Sequence, residues 1–187
     1  MRSLRVYARV ECARVLGPGK RAGIWVQGCS RHCPGCFNPE THDPKGGALV
    51  PVDDLDAWLV KCKDLHGIEG VTISGGEPMD QPESLRSLLV GAITSNLTTV
   101  VYTGYTYKEL RGAKKKYVGI LPMVDILISG PFVKELACGG LKGSSNKQVT
   151  CLGRYTPRDL EGLPEVEVIL RPDGAYTLLG THGLEDL

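Results

Sequence analysis

The chain has 187 residues, enough for one domain with a hydrophobic core, and a formal net charge of +1. A charge so close to zero argues against nucleic acid or an anionic membrane surface as a partner. No apolar run reaches the roughly 20 residues that span a bilayer. The start of the chain lacks the hydrophobic stretch of a signal peptide, so we expect a cytoplasmic protein without a membrane partner.

The first part of the chain predicts two strands and then a long loop. Residues 4–16 alternate in polarity as a strand does, and residues 23–27 form a second, shorter strand. Residues 28–47 hold four Gly, three Pro, three Cys and two His, with little tendency toward helix or strand. Long loops inside a compact domain are usually functional, so this loop is the first candidate site.

The middle of the chain alternates between helices and strands. Three helices each lead into a strand, and the paired ranges are 51–65 with 70–74, 83–93 with 98–103, and 107–117 with 124–128. This alternation predicts parallel strands joined by crossover helices. Ligands bind at the carboxyl ends of such strands, where this sequence places its glycine-containing loops.

The last part of the chain is less regular. Residues 138–147 form a polar, glycine-rich loop, and residues 166–170 and 175–179 flank an Arg-Pro-Asp-Gly turn typical of a β-hairpin. We expect a single domain over 1–187, with a core of about 5–150. The C-terminal extension, about 152–187, either covers the sheet edge or contacts a partner, and the sequence does not choose between these roles.

Three of the seven cysteines, Cys29, Cys33 and Cys36, lie within eight residues. A single loop with this spacing can wrap three thiolates around an iron–sulfur cluster, and a four-iron cluster would keep one iron open for chemistry. Zinc held by the three cysteines with His32 or His42 is the alternative, and buried cysteines without a ligand are a third possibility. Structural zinc sites usually divide their ligands into two separate pairs, which favours the cluster.

The cysteine spacing Cys-x3-Cys-x2-Cys resembles the signature of the radical S-adenosylmethionine superfamily. The stretch 28–41 is similar to that of the anaerobic ribonucleotide reductase activating proteins and their close relatives. Three further matches follow in order, and they are Ser-Gly-Gly-Glu-Pro at 74–78, Tyr-Thr-Gly-Tyr-Thr at 102–106 and Gly-Ser-Ser-Asn at 143–146. The resemblance covers roughly residues 5–150.

Two positions depart from the family pattern. The superfamily often has an aromatic residue just before the third cysteine, whereas this chain has Gly35 there and Phe37 after the cysteine, as in the activating-protein subgroup. That subgroup commonly has Asp-Gly-Pro after its fourth strand, whereas this chain has Ser129 before Gly-Pro. No role is therefore carried over to residues 129–131.

The resemblance implies two cofactors, a [4Fe–4S] cluster on Cys29, Cys33 and Cys36 and S-adenosylmethionine on its open iron. Reductive cleavage would give a 5′-deoxyadenosyl radical that takes a hydrogen atom from the substrate. Glycines at a strand end let the backbone approach a ligand closely. The expected cofactor-binding residues are Gly75, Gly76, Glu77, Pro78, Phe37, Thr103, Ser144, Ser145 and Asn146. A plain turn, a surface loop and a packing role are the alternatives for these segments.

We expect an α/β fold, a single incomplete β/α barrel of mainly parallel strands with a C-terminal β-hairpin, because a closed eight-stranded barrel typically takes about 250 residues. A half-open mouth suits a macromolecular substrate. The first hypothesis is an activase that removes a hydrogen from a glycine of a separate glycyl radical enzyme, such as an anaerobic ribonucleoside-triphosphate reductase. A flavodoxin- or ferredoxin-like protein would supply the electron.

Two alternatives stay open at this stage. The first is a radical enzyme that modifies a peptide or a small molecule, for which the same core would serve. The second is a non-catalytic iron–sulfur or zinc module that only binds a partner. The Gly-Gly-Glu-Pro segment argues against such a module, since a structural metal site needs no cofactor cradle.

Overall fold

In the part of the chain that the structure describes, seven strands hydrogen-bond into one sheet, and two more form a hairpin. The computed structural model describes residues 2–170 and 176–180. The sheet strands are β1 (Ser3–Ala13), β2 (Arg21–Val26), β3 (Ala48–Pro51), β4 (Gly70–Gly75), β5 (Thr98–Thr103), β6 (Ile126–Ser129) and β7 (Gln148–Cys151). The hairpin strands are β8 (Val166–Leu170) and β9 (Tyr176–Gly180). The helices are α1 (Val52–His66), α2 (Pro82–Thr94), α3 (Tyr107–Gly112) and α4 (Lys114–Tyr117).

The sheet has a parallel centre with antiparallel edges. Its strand order is β3-β1-β2-β4-β5-β6-β7, and β2, β4, β5 and β6 run parallel to one another. The outer pairings of β3 with β1, β1 with β2, and β6 with β7 are antiparallel. The predicted α/β class with parallel central strands and a C-terminal hairpin is therefore confirmed. The strand order does not close on itself among the described residues, so the partial barrel stays a prediction.

Helices α1 and α2 cover one face of this sheet. Both present leucines at helical spacing, which lie fully buried in the main core with the β-branched residues of the central strands. Cys62 of α1 belongs to this core. Helix α1 ends at Gly67, whose left-handed φ of 65° suits glycine. None of the helices in the described part of the chain is long and apolar enough to cross a membrane.

The C-terminal segment covers the opposite face of the sheet. Leu179 of β9 packs with Ala13, Val15 and Leu16, and the Glu167 carboxylate of β8 accepts hydrogen bonds from the backbone N–H groups of Arg14 and Val15. The described part of the extension thus lies across a sheet face, a position that differs from the sheet edge considered above. The Asp-Gly turn between the hairpin strands lies outside the described residues.

Several predicted boundaries change for physical reasons. The opening strand ends at Ala13, three residues earlier than predicted, because Val15 and Leu16 turn into the small core beneath the hairpin. The predicted helix over 107–117 divides into α3 and α4 at Ala113, which has a non-helical ψ of 43°. Strands β3 and β7 were not predicted. Each has four residues and lies at a sheet edge, so its burial pattern is weak.

A buried arginine joins the amino ends of the parallel strands. The Arg21 guanidinium donates to Thr72 Oγ1 at 2.8 Å, to Thr98 Oγ1 at 3.0 Å, and to the carbonyl oxygens of Val71 and Thr98 at 2.9 and 3.0 Å. A further bond at 3.1 Å reaches the Pro18 carbonyl oxygen. These five neutral acceptors pair all five N–H groups of the guanidinium. The charged group is therefore fully buried with its hydrogen bonds satisfied.

We expect Arg21→Lys to lower the free energy of unfolding by about 3 kcal/mol, because lysine cannot supply the planar fork of donors and leaves buried carbonyl groups unpaired. Urea denaturation would measure the change. Arg158→Lys, at an exposed arginine, is the matched control and should stay within about 0.5 kcal/mol of the wild type. Equal stability of the two variants would show that the buried network contributes little.

Candidate metal centre and cofactor cavity

The cysteine loop begins where β2 ends and closes back on itself. The Gly28 N–H donates to the Thr41 carbonyl oxygen at 2.8 Å, and the Cys29 N–H donates to the His42 carbonyl oxygen at 3.3 Å. A short 3₁₀ turn, Pro39–Thr41, supplies part of this return. The base of the loop is therefore fixed by backbone hydrogen bonds, and the segment with the three cysteines projects from it.

Asp80 ties this loop to the neighbouring strand ends. Its carboxylate accepts the Ser30 N–H at 2.7 Å and the Ser30 hydroxyl at 2.9 Å. The Tyr105 hydroxyl, from the loop after β5, donates to the same carboxylate at 3.3 Å. The sequence analysis missed Asp80, although an acidic residue three positions after Glu77 in a strand-end turn was a usable signal. This residue positions the cysteine loop and is not itself a predicted ligand.

The thiols of Cys29, Cys33 and Cys36 are all partly exposed. Burial raises the pKa of the Cys29 thiol, while the backbone amides of Arg31 and His32 lower it in part. Burial likewise raises the pKa of the Cys36 thiol, whose sulfur accepts the Asn38 N–H at 3.4 Å. Backbone N–H groups directed at sulfur also stabilise cysteines that hold iron–sulfur clusters.

The Gly-Gly-Glu-Pro turn packs directly against the base of the cysteine loop. Gly75 has a φ of 100°, and a Cβ there would lie 2.5 Å from the Val26 nitrogen. A Cβ on Gly76 would lie 2.2 Å from the Gly28 carbonyl oxygen. The Glu77 N–H donates to that same oxygen at 2.9 Å. Only glycine allows this approach of the two backbones.

Glu77 braces the ends of β4 and β5. Its side chain is buried, and its Oε1 accepts the Thr103 hydroxyl at 2.8 Å and the Met79 N–H at 2.9 Å. Its Oε2 accepts the Gly104 N–H at 2.7 Å. Burial raises the pKa of this carboxyl to about 7, although the three donors lower it in part. With three donors on its two oxygens, Glu77 braces the strand ends.

A cavity of about 480 Å³ opens beside these elements, on the face of the sheet that the hairpin covers. Five of the predicted residues line it, and they are Cys36, Phe37, Gly75, Gly76 and Thr103. Phe37 packs on Phe132 with ring centroids 4.5 Å apart, which makes an aromatic wall next to Cys36. The far wall includes Trp25, Tyr102 and the hairpin strand β9. This volume falls in the range of small-molecule and cofactor sites.

The other predicted cofactor-binding residues are not among those that line the cavity, and they are Glu77, Pro78, Ser144, Ser145 and Asn146. Pro78 is buried and begins the 3₁₀ turn Pro78–Asp80. Ser144 is buried, with a hydroxyl that has no partner in the described part of the chain. Ser145 and Asn146 are exposed, and the Asn146 amide donates to the Pro131 carbonyl oxygen at 2.9 Å. From this loop Gly143 and Lys147 line the cavity, so a role for 144–146 in cofactor binding stays a prediction.

Cys29 lines a second cavity, of about 340 Å³, with Arg5, Gln27 and His32. His32 and His42, the candidate zinc ligands, meet edge to face with ring centroids 4.9 Å apart. Within 2–170 and 176–180, no three His, Cys, Asp or Glu side chains form a group that could hold a single metal ion. Each cysteine of a [4Fe–4S] site binds a different iron, so convergence on one point is not required of them.

The residues present fit a cluster and a cofactor in two respects. One loop supplies three thiols with backbone amides beside two of them. The cavity next to Cys36 is bounded by two glycines whose backbone a side chain could not replace. Fold and site together define an iron–sulfur protein with a ligand cavity at the carboxyl ends of its parallel strands.

Comparison with known proteins identifies the family. The 4Fe–4S single cluster domain family matches residues 15–150. The chain is 32% identical over 143 residues to the anaerobic ribonucleoside-triphosphate reductase-activating protein of Vibrio cholerae, covering 72% of this chain and 90% of that protein. The proteins of the same name from Escherichia coli and Haemophilus influenzae are 30% identical over 149 residues and 32% identical over 140 residues. These alignments cover 72% and 70% of this chain, and 90% and 87% of those proteins.

The chain belongs to the 4Fe–4S single cluster domain family and, within it, to the radical S-adenosylmethionine activating proteins. Its cofactors are accordingly a [4Fe–4S] cluster and S-adenosylmethionine, and it is an enzyme of the oxidoreductase type. The match to a 4Fe–4S family favours the cluster over zinc, the alternative that the cysteine spacing left open.

We expect Gly76→Ala to reduce the iron content after cluster reconstitution and to destabilise the fold by about 2 kcal/mol or more, because the new methyl group collides with the Gly28 backbone. Iron analysis and urea denaturation would measure the two effects. Gly112→Ala is the control, since a Cβ there meets nothing within 4 Å. Normal iron uptake by Gly76→Ala would contradict the close packing of the two loops.

The Glu77 carboxyl should make stability depend on pH. Its pKa rises from 4.5 to about 7 on folding, so the folded protein binds more protons than the unfolded chain in that window. The free energy of unfolding of the cluster-free protein should therefore fall as pH rises toward 7. Asp56, with a pKa raised to about 6, adds to the lower part of this window. The contribution of Glu77 is best isolated above pH 6.

Denaturant unfolding at several pH values would test this dependence. Glu77→Gln should have a flatter profile between about pH 6 and 7 than the wild type, since the titrating group is gone. Glu161→Gln, at an exposed glutamate, should keep the wild-type slope. An unchanged slope in Glu77→Gln would mean that Glu77 does not titrate in this range.

Proposed function

We propose that this protein cleaves S-adenosylmethionine reductively and uses the resulting radical to remove a hydrogen from a glycine of a separate glycyl radical enzyme. The observation that supports it most is the cavity shared by Cys36 and the Gly75-Gly76 backbone. It lies at the carboxyl edge of the parallel strands, in a chain whose relatives are named anaerobic ribonucleoside-triphosphate reductase-activating proteins.

The cysteine loop would hold the cluster through Cys29, Cys33 and Cys36. When bound and reduced, the cluster would supply one electron for reductive cleavage of the sulfonium bond of S-adenosylmethionine, which would give methionine and a 5′-deoxyadenosyl radical. The main chain at Gly75 and Gly76 borders the cavity without side chains, so its polar groups can approach the methionine portion of the cofactor.

Other residues would shape this site and exclude water from it. The Glu77 hydrogen bonds to Thr103 and Gly104 fix the ends of β4 and β5, between which the cofactor would lie. Phe37 and Phe132 place aromatic surface beside Cys36. Excluding water protects a reactive intermediate from side reactions, and preorganised strand ends spare the site from rearranging during reaction.

The proposed substrate is a glycine of a partner protein, and the relatives' names point to an anaerobic ribonucleoside-triphosphate reductase. A flavodoxin- or ferredoxin-like reductant would deliver the electron. One observation favours a second candidate, a radical enzyme for a peptide or small molecule. Strand β9 follows the family match at 15–150 and lines the same cavity, so this chain adds a wall that could contact a small substrate.

Anaerobic reconstitution with iron and sulfide, followed by dithionite and S-adenosylmethionine, would test the radical chemistry. We expect the wild type to form 5′-deoxyadenosine, and Cys33→Ala to fall to background because it loses a cluster ligand. Cys151→Ala, outside the cysteine loop, is the matched control and should keep the activity. A wild-type protein that binds zinc and takes up no cluster would refute the proposal.

The substrate is tested separately. Incubation with the anaerobic ribonucleoside-triphosphate reductase of the same organism should give a glycyl radical signal in electron paramagnetic resonance, dependent on S-adenosylmethionine. Formation of 5′-deoxyadenosine without such a signal would refute the activase role and favour the peptide or small-molecule enzyme.

A further inference from the structure

Lys147 is a cationic side chain in the cavity that the proposed reaction has not used. It follows the Gly-Ser-Ser-Asn segment directly, and its backbone N–H donates to the Ser144 carbonyl oxygen at 3.1 Å. The side chain is half-buried and lines the cavity with Cys36, Gly75 and Gly76. Its position next to β7 therefore directs a lysine toward the site of the cluster and away from open solvent.

The surroundings of Lys147 supply little negative charge of their own. Its ammonium lies 5.8 Å from the centroid of the Tyr102 ring, and it takes part in none of the ion pairs found within 2–170 and 176–180. The acidic groups near enough to act on it are the Cys33 and Cys36 thiols and the Glu77 carboxyl. Both Glu77 oxygens already accept hydrogen bonds from other groups.

The Lys147 ammonium therefore has no ion-pair partner among the described residues. Burial lowers the pKa of the Lys147 ammonium, and the Cys33, Glu77 and Cys36 groups oppose that change. Burying a charge without a partner is costly, and the cost falls when negative charge arrives nearby. Two of these three neighbours are the cysteines expected to hold the cluster, whose negative charge increases by one when it is reduced.

We infer that Lys147 raises the reduction potential of the cluster by stabilising its more negative, reduced state. A nearby positive charge favours the reduced form, and the effect is strongest where protein rather than water surrounds the charges. The inference depends on the cluster and holds for either substrate considered above. Lys147 acts on the cluster through its charge and needs no contact with the substrate.

A second lysine near the same loop offers a matched control. Lys134 is exposed, and its side chain covers Gly35, where a Cβ would lie 2.7 Å from the lysine Cδ. Lys134 thus contacts the solvent-exposed side of the cysteine loop, whereas Lys147 lines the cavity. Water and salt screen an exposed charge far more than a buried one, so Lys134 should affect the cluster little.

The test is a redox titration of the reconstituted full-length protein without S-adenosylmethionine, followed by electron paramagnetic resonance of the reduced cluster. At a fixed potential near the wild-type midpoint, we expect Lys147→Met to lower the ratio of reduced to oxidised cluster about tenfold, which corresponds to about 59 mV for one electron. Lys147→Arg keeps the charge and should titrate close to the wild type, and Lys134→Met should titrate as the wild type does.

Equal midpoints for the wild type and Lys147→Met, at equal iron content, would overturn the inference. An equal shift in Lys134→Met would also overturn it, since the effect would then not belong to the buried charge. If Lys147→Met fails to take up iron, Lys147→Gln replaces it as the neutral variant. A wild-type protein without a cluster refutes the proposed function, so the two failures are distinguishable.

Discussion

The buried Glu77 carboxylate fixes the edge of the sheet on which the site is built. It accepts hydrogen bonds from Thr103 and Gly104 at the end of β5, and it caps the 3₁₀ turn that follows β4 through the Met79 N–H. The two strand ends are thereby held at one separation. The adjoining Gly75 and Gly76 then meet Val26 and the base of the cysteine loop, backbone against backbone. Without that brace, the loop with the cysteines would have no fixed surface to rest on.

Most contacts that shape this site are made by main-chain atoms. Backbone N–H groups close the cysteine loop and join it to the Gly-Gly-Glu-Pro turn. Another backbone N–H, that of Asn38, donates a hydrogen bond to the Cys36 sulfur. Two carboxylates are the exceptions: Glu77 joins Thr103 to Gly104, and Asp80 joins Ser30 to Tyr105. A site made in this way tolerates side-chain changes around its rim, whereas an added Cβ at its glycines is excluded by sterics.

The sequence predicted those parts of the structure that depend on local patterns. The three strands after the cysteine loop and the leucine faces of α1 and α2 follow from the spacing of apolar residues. The hairpin follows from the Arg-Pro-Asp-Gly turn signal between two apolar runs. Placement across the fold does not follow from local patterns: Ser145 and Asn146 are exposed, whereas Lys147 beside them lines the cavity. A ligand role for residues 144–146 stays a prediction. Burial of one lysine among neighbouring polar residues is set by tertiary packing. The edge strands β3 and β7 were missed because a strand paired on one side leaves a weak pattern.

The hairpin over this face of the sheet has a consequence for the order in which the parts of the site form during synthesis. A ribosome releases the cysteine loop and all four parallel strands well before β8 and β9. During that interval the cavity lacks the wall that β9 supplies, and the Glu167 clamp on Arg14 and Val15 has not yet formed. The nascent chain therefore passes through a stage in which the cluster site is accessible from two sides. Strand β9 then adds the missing wall of this groove.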